Sequence, residues 1–209
     1  MTTHTSTAAA CCSDLNAENS DDDGSGGSSD QPPPTEALAI AVHWDADVAR
    51  AQSVDVAGAA PGMTTTKIEH WLERHLVLIA EAAGVRGGQL RVSVIDDAQM
   101  RDLHKRHKRI DDTTDVLTFD LRDEDDEPVD ADVAICIDQA QQAAAHHGHD
   151  VHHELLLYAV HGLMHLMGHN DNDPDAAHAM HAAEDDLLTQ IGIGAVYATP
   201  TVSTPTFNL

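Results

Sequence analysis

Residues 152–171 decide the fold and read His152-His-Glu-Leu-Leu-Leu-Tyr-Ala-Val-His161-Gly-Leu-Met-His165-Leu-Met-Gly168-His169-Asn170-Asp171. From His152 to Met167 the pattern is apolar on nearly every side, which predicts a central helix buried all round. Gly168 then ends it, because glycine takes the left-handed conformation without steric cost. His161 and His165 are four residues apart and share one helix face. Two imidazoles so placed converge on a single ion, and the chain, turning at Gly168, can return a third ligand from His169 or Asp171. Three protein ligands with a fourth position open describe a catalytic zinc site. Ten of the 16 histidines lie between His146 and His181. An unpaired imidazole in an apolar helix is costly to bury, which sets His161 and His165 apart from that histidine-rich background. His146, His147, His149, His152 and His153, at a helix junction, read as surface residues. A zincin protease places glutamate directly after the first histidine. Gly162 stands there, so water activation falls to the metal itself or to another group.

Downstream, Asp173-Pro174 supplies an N-cap and an N1 proline for a last helix, closed by Ile191-Gly192. Upstream, Asp138 to His147 predicts a helix ending at Gly148. Two β-like runs, Asp115 to Leu121 and Asp132 to Ile137, flank the acidic turn Asp123–Glu127 and Pro128. Asp97 is expected to cap a short helix carrying Met100 and Leu103. Leu90, Val92 and Val94 alternate with Arg91 and Ser93, as in a half-buried strand. Ile68, Trp71, Leu72, Leu76, Ile79 and Ala83 recur at helical spacing, with Gly84 as the stop and Thr66–Glu69 as an apparent capping box. Ala39 to Trp44 predicts the first strand, and Gly58 to Gly62 a loop. Strands followed by a helical run imply an α+β fold, a small mixed sheet against helices with a buried, metalloprotease-like, metal-bearing helix. The domain is expected over residues 37–198. Residues 1–36, rich in Ser, Asp, Gly, Thr and Pro, read as a disordered acidic tail, and 199–209 as a C-terminal tail.

The net charge of −25 excludes general attraction to nucleic acid, and no DNA partner is expected. Five of the 11 lysines and arginines nevertheless lie between Arg101 and Arg109, and none follows Arg122. This basic island is either a solvated helix face or a substrate strip. Only 3% of residues are aromatic, so the core must be aliphatic and alanine-rich. No apolar run approaches the roughly 18–20 residues that span a bilayer, so no membrane partner is expected. Without a secretory leader or a disulfide framework among Cys11, Cys12 and Cys136, a cytoplasmic location is expected.

From about Ile40 to Ile191 the sequence resembles the YbeY-type endoribonucleases of rRNA maturation. His161 to Asp171 resembles the family's His-Gly-x-Leu-His-Leu-x-Gly-(Tyr/His)-Asp-His signature. Thr114-Asp115-Val116-Leu117-Thr118-Phe119 is similar to its Thr-Asp-Val-Leu-Ser-Phe segment, and Ala131-Asp132-Val133-Ala134-Ile135 to its Gly-Asp-Ile-x-Ile strand. Glu154, Met180 and Glu184 also fit the pattern. Two departures stand out. Asp171 takes the place of the family's third histidine, and Asn170 that of its preceding aspartate. A His161–His165–Asp171 set still suits one Zn2+, with His169 as the alternative third ligand. The extra negative charge should make bound water less acidic. The family's Leu-Asn-x-x-Tyr-Arg segment reads Leu103-His104-Lys105-Arg106-His107-Lys108, so Lys108, or Arg109 or Arg106 if the register slips, matches its active-site arginine. The resemblance implies Lys108 and Arg109 as catalytic cations and Lys105 and Arg106 as RNA contacts. The implied activity is zinc-dependent cleavage of single-stranded RNA in 16S rRNA 3′-end maturation and ribosome quality control. The alternatives are a zinc hydrolase of another substrate class and a non-catalytic, ribosome-associated metal-binding factor.

Overall fold

Four runs of alternating apolar residues pair into one mixed sheet, ordered β1-β2-β4-β3. The computed structural model describes residues 37–52, 55–124 and 127–196. The tails expected over residues 1–36 and 199–209 lie outside these. Strand β1 (Ala39–Trp44) runs parallel to β2 (Gly88–Ile95), which runs parallel to β4 (Val129–Cys136). Strand β3 (Val116–Asp120) pairs antiparallel with β4, Thr118 opposite Val133. Helices α1 (Ala46–Ala51) and α2 (Thr65–Ala82) lie between β1 and β2, and α3 (Asp97–Lys108) between β2 and β3. Three helices complete the order: α4 (Ile137–His147), α5 (Val151–Leu166) and α6 (Pro174–Gln190). The fold is α+β, as expected.

One sheet face carries Val42, Trp44, Leu90, Val92, Val94, Ala131, Val133 and Ile135, all buried beneath α2 and α5. Those helices contribute Ile68, Leu72, Leu76 and Ile79, and Leu155, Leu156, Leu163 and Met164, again all buried. Each such side chain contributes roughly 1.5–3 kcal/mol on burial. Helix α5 is buried along almost its whole length, as its sequence predicts. Its approach to the sheet is set at Gly162. A Cβ there would lie 2.8 Å from Thr118 Oγ1 and 3.1 Å from Val133 Cγ1. The position after His161 therefore faces the sheet, and a zincin-type glutamate has no room in it.

Three local expectations shift. The cap of α2 is Thr64, whose hydroxyl accepts from the Lys67 amide, and the Thr66–Glu69 box does not form. Glu69 is used instead at the sheet edge. Its carboxylate and that of Glu73 accept from the Trp44 and Val42 amides of β1, at 3.2 and 3.1 Å. Edge amides that would otherwise seek another strand are thereby satisfied. Helix α3 is capped by Asp96, not Asp97, in a capping box with Gln99. Asp97 turns inward and accepts from Thr113, Cys136 and Gln139, which fastens the loop leading into β3. Third, β4 begins at Val129, and α4 follows it directly at Ile137. Helix α1, short and capped by Asp45, was not anticipated.

Candidate metal centre

The end of α5 is a Schellman turn. The His169 amide donates to Met164 O at 3.0 Å, the Gly168 amide donates to His165 O at 3.0 Å, and Gly168 has φ 88°. Arg122, leaving β3, adds a hydrogen bond to Leu166 O at 2.9 Å, which satisfies one of the helix's terminal carbonyls. The reversed chain then runs back past the last turn of α5.

This geometry orients both imidazoles. Nδ1–H of His161 donates to Oε1 of Glu184, on α6, at 2.8 Å. Nδ1–H of His165 donates to the His169 carbonyl at 3.1 Å, and a carbonyl can only accept. With Nδ1 of each ring turned to an acceptor, the two Nε2 atoms face each other at 3.0 Å. Two bare lone pairs at that distance would repel, so the rings share a positive charge, either a proton on one Nε2 or a metal ion. Asp171 Oδ2 lies 3.8 Å from His161 Nε2, and one ligand atom from each of the three residues falls within 4.8 Å of the others. Glu184 is fully buried, and its other oxygen has no hydrogen-bond partner. Its charge is therefore balanced only by a positive charge at His161, carried as a second ring proton or as a bound cation. Burial opposes charging of the His161 ring. The Glu184 hydrogen bond and the nearby charges of Glu184, Asp115 and Asp171 outweigh it and raise the pKa above the ordinary value. A field that retains a proton favours a metal cation equally, so the donor set fits a divalent ion. A carboxylate holding the far nitrogen of a ligating histidine is the usual outer support of such a site.

The three residues open into a cleft of about 420 Å³, also lined by Lys108, Thr114, Asp115, Thr118 and Asp120. Of the basic island, Lys108 alone lines this cleft. Arg109 is the left-handed C-cap of α3 (φ 62°) and lies outside the lining. Lys105 pairs with Asp111 at 2.6 Å, and Arg106 with Asp102 at 2.7 Å, both on the exposed surface. His169 gives the site its carbonyl, while Asp171 brings a side-chain oxygen. Spacing and periodicity give no role to Glu184, Asp115 or Asp120. The signal for Glu184 was present: one acid on the α6 stripe of Met180, Leu187 and Leu188, all buried.

The expectation that the histidines at the α4–α5 junction are surface residues fails for His152, which is 6% exposed. Its ring packs edge-on against Trp71, with centroids 4.7 Å apart. Helix α5 begins at Val151, so His152 falls in its buried first turn.

Residues 57–192 match the family described as Endoribonuclease YbeY, well over half of the chain. The chain belongs to this family. The Endoribonuclease YbeY of Carboxydothermus hydrogenoformans is 31% identical over 108 residues, covering 52% of this chain and 76% of that protein. That of Geobacillus thermodenitrificans is 34% identical over 130 residues, covering 56% and 83%. The solution structure of TM1509 from Thermotoga maritima aligns with a TM-score of 0.45 at 20% identity, over 73% of this chain and 90% of that one. The YbeY family match includes the whole candidate centre, from Asp115 to Glu184.

Proposed function

We propose that this chain is a metal-dependent endoribonuclease that cuts single-stranded RNA, with the 3′ end of 16S rRNA on the ribosome as its substrate. The observation that carries this reading is the pair of facing Nε2 atoms with Asp171 beside them, in a cleft that Lys108 lines. His161, His165 and Asp171 would hold one Zn2+. When bound, such an ion supplies Lewis-acid polarisation of a phosphoryl oxygen or of water.

The chain's own groups do the rest. Glu184 and the His169 carbonyl fix both rings, so no reorientation is needed during reaction. Lys108 places positive charge at the cleft wall, where charge develops on the phosphate. It lacks the planar fork by which arginine grips two oxygens, so it acts as a point charge. Asp120 is tied to Arg122. Asp115 accepts from the Thr114 hydroxyl and the Val116 amide, and among the described residues no cation pairs with it. With position 162 closed to a glutamate, Asp115 is the carboxylate placed to take a proton from water. Lys105, Arg106 and Arg109 extend the positive strip along which RNA would run. No helix among the described residues is long and apolar enough to cross a membrane. A cytoplasmic site of action accords with a ribosomal substrate.

The test is cleavage of a single-stranded RNA bearing the 16S 3′ end, with metal content measured on the same samples. The wild type should cut it and His161→Ala should not. Metal-loaded wild type that leaves RNA intact but hydrolyses a peptide or ester would point to another hydrolase. Metal without any hydrolysis would point to a non-catalytic factor.

A further inference from the structure

The junction of α4 and α5 gathers a second set of metal-type ligands. Five of the eight residues from His146 to His153 are histidines. Helix α4 ends at His147, and Gly148 turns the chain at φ 79°. The His149 amide donates back to Ala144 O at 3.2 Å, which folds the loop against the helix end. Both rings then meet one carboxylate. His147 Nδ1 lies 3.0 Å, and His149 Nε2 2.6 Å, from Glu154 Oε1 in the early turns of α5. The Glu154 side chain is 2% exposed, and its ion-pair partners among the described residues are these two histidines, not a lysine or arginine. Imidazoles can satisfy its hydrogen bonding, but its charge inside the protein also needs a positive charge at this junction. A divalent cation cancels that charge. One ligand atom from each residue falls within 4.8 Å of the others.

We propose that His147, His149 and Glu154 form a second metal site. Its ligand chemistry, two imidazole nitrogens and a carboxylate oxygen, suits a borderline divalent transition ion such as Zn2+. Glu154 precedes His161 by two helical turns, roughly 10 Å along α5, so the sites are separate. The ion would tie the end of α4 to the start of the helix that carries His161 and His165.

Zinc binding to the full chain, by calorimetry and by thermal unfolding, tests this. Wild type should take two equivalents. A His161→Ala/His165→Ala variant should take one, and that remaining equivalent should raise its unfolding temperature. Adding Glu154→Gln should weaken the remaining site by more than the about 10- to 100-fold that removing a hydrogen-bonded support behind a ligand costs. His147→Ala, at an exposed position that leaves folding intact, should weaken it similarly. Exposed histidines chelating zinc by themselves would be indifferent to Glu154, so unchanged affinity in Glu154→Gln overturns the site. If Glu154→Gln does not fold, unchanged affinity in His147→Ala overturns it. Equal stoichiometry in wild type and the His161→Ala/His165→Ala variant would instead count against the first centre, leaving the second standing.

Discussion

At the scale of single residues, the proposed metal centre depends on which atoms carry protons. His161 and His165 turn Nε2 toward one another because Glu184 and the His169 carbonyl accept hydrogen bonds from the two Nδ1–H groups. Asp171 supplies a carboxylate 3.8 Å away, while the side chain of His169 does not join the set. Asp171→Ala should therefore weaken zinc binding strongly, and Asp171→His should keep or tighten it, as read by competition against a chelator. Retention of metal in Asp171→Ala with loss in His169→Ala would reverse the assignment. Glu184 touches the site only through His161, so it is a positioning residue. Glu184→Gln keeps the shape but removes the charge that balances the cation. Zinc affinity should fall by about 10- to 100-fold, the usual cost of losing such a partner. The protein should remain folded, and Glu184→Asp should restore part of the affinity. An unchanged affinity in Glu184→Gln would mean that the buried carboxylate serves packing alone. The two histidines and Asp171 were legible from spacing, because an i, i+4 pair and a helix-stopping glycine are local features. Glu184 lies 23 residues from its partner, and only the docking of α6 on α5 brings them together.

At the scale of elements, most of the secondary structure was legible because the apolar periods are strong. Strand β1 appears where Ala39–Trp44 predicts it, and Asp173-Pro174 opens α6. The misplaced caps share one cause. A carboxylate such as Glu69 or Asp97 suits a cap locally, yet each is diverted to a partner far along the chain, the β1 edge or the Thr113 loop. Similarly, His152 looked polar, but α5 docks its first turn against Trp71 of α2. Burial, with the charges of His153 and His75 also disfavouring protonation against an opposing Asp150, pushes its pKa down to about 4 from 6.5. The sign follows directly. Between pH 6.5 and about 4 the unfolded chain binds a proton at this ring and the folded chain does not. Stability from His152 is thus complete above pH 6.5 and lost as pH falls through that window, by no more than about 3 kcal/mol. His153, also lowered chiefly by burial, acts in the same direction. In urea unfolding with chelator present, wild type should lose stability between pH 7.5 and 4.5 relative to His152→Gln. Parallel curves for the two proteins would contradict a buried, neutral His152.

At the scale of the whole molecule, a chain of net charge −25 must meet a polyanion through a single basic strip. That strip closes α3, where Lys105, Arg106, His107 and Lys108 occupy the last turn. Cations there also complement the helix dipole, so some of the island has a purely structural explanation. Its geometry separates the two uses. Lys105 and Arg106 are already paired with Asp111 and Asp102 at the surface, whereas Lys108 lines the cleft with His161, His165 and Asp171. If RNA is the substrate, the acidic remainder cannot compensate by neutralising phosphates elsewhere. Replacing Lys108 and Arg109 with glutamine should then depress RNA cleavage severely. It should also flatten the salt dependence of binding by about 0.7 in the log–log slope for each phosphate of a single strand that is no longer neutralised. Glutamine at 109 keeps a non-glycine residue in the same left-handed conformation, so backbone strain is unchanged. Exposed charges contribute little to folding, so metal content and the unfolding temperature should barely move. The measurement is cleavage of a single-stranded 16S 3′-end RNA across a salt series, with zinc quantified in parallel. Lys108→Gln alone should account for most of the loss in turnover, because it is the cation in the cleft, and Arg109→Gln mainly for weakened binding. Equal cleavage by wild type and the double variant, at matched metal content, would take the island out of the mechanism.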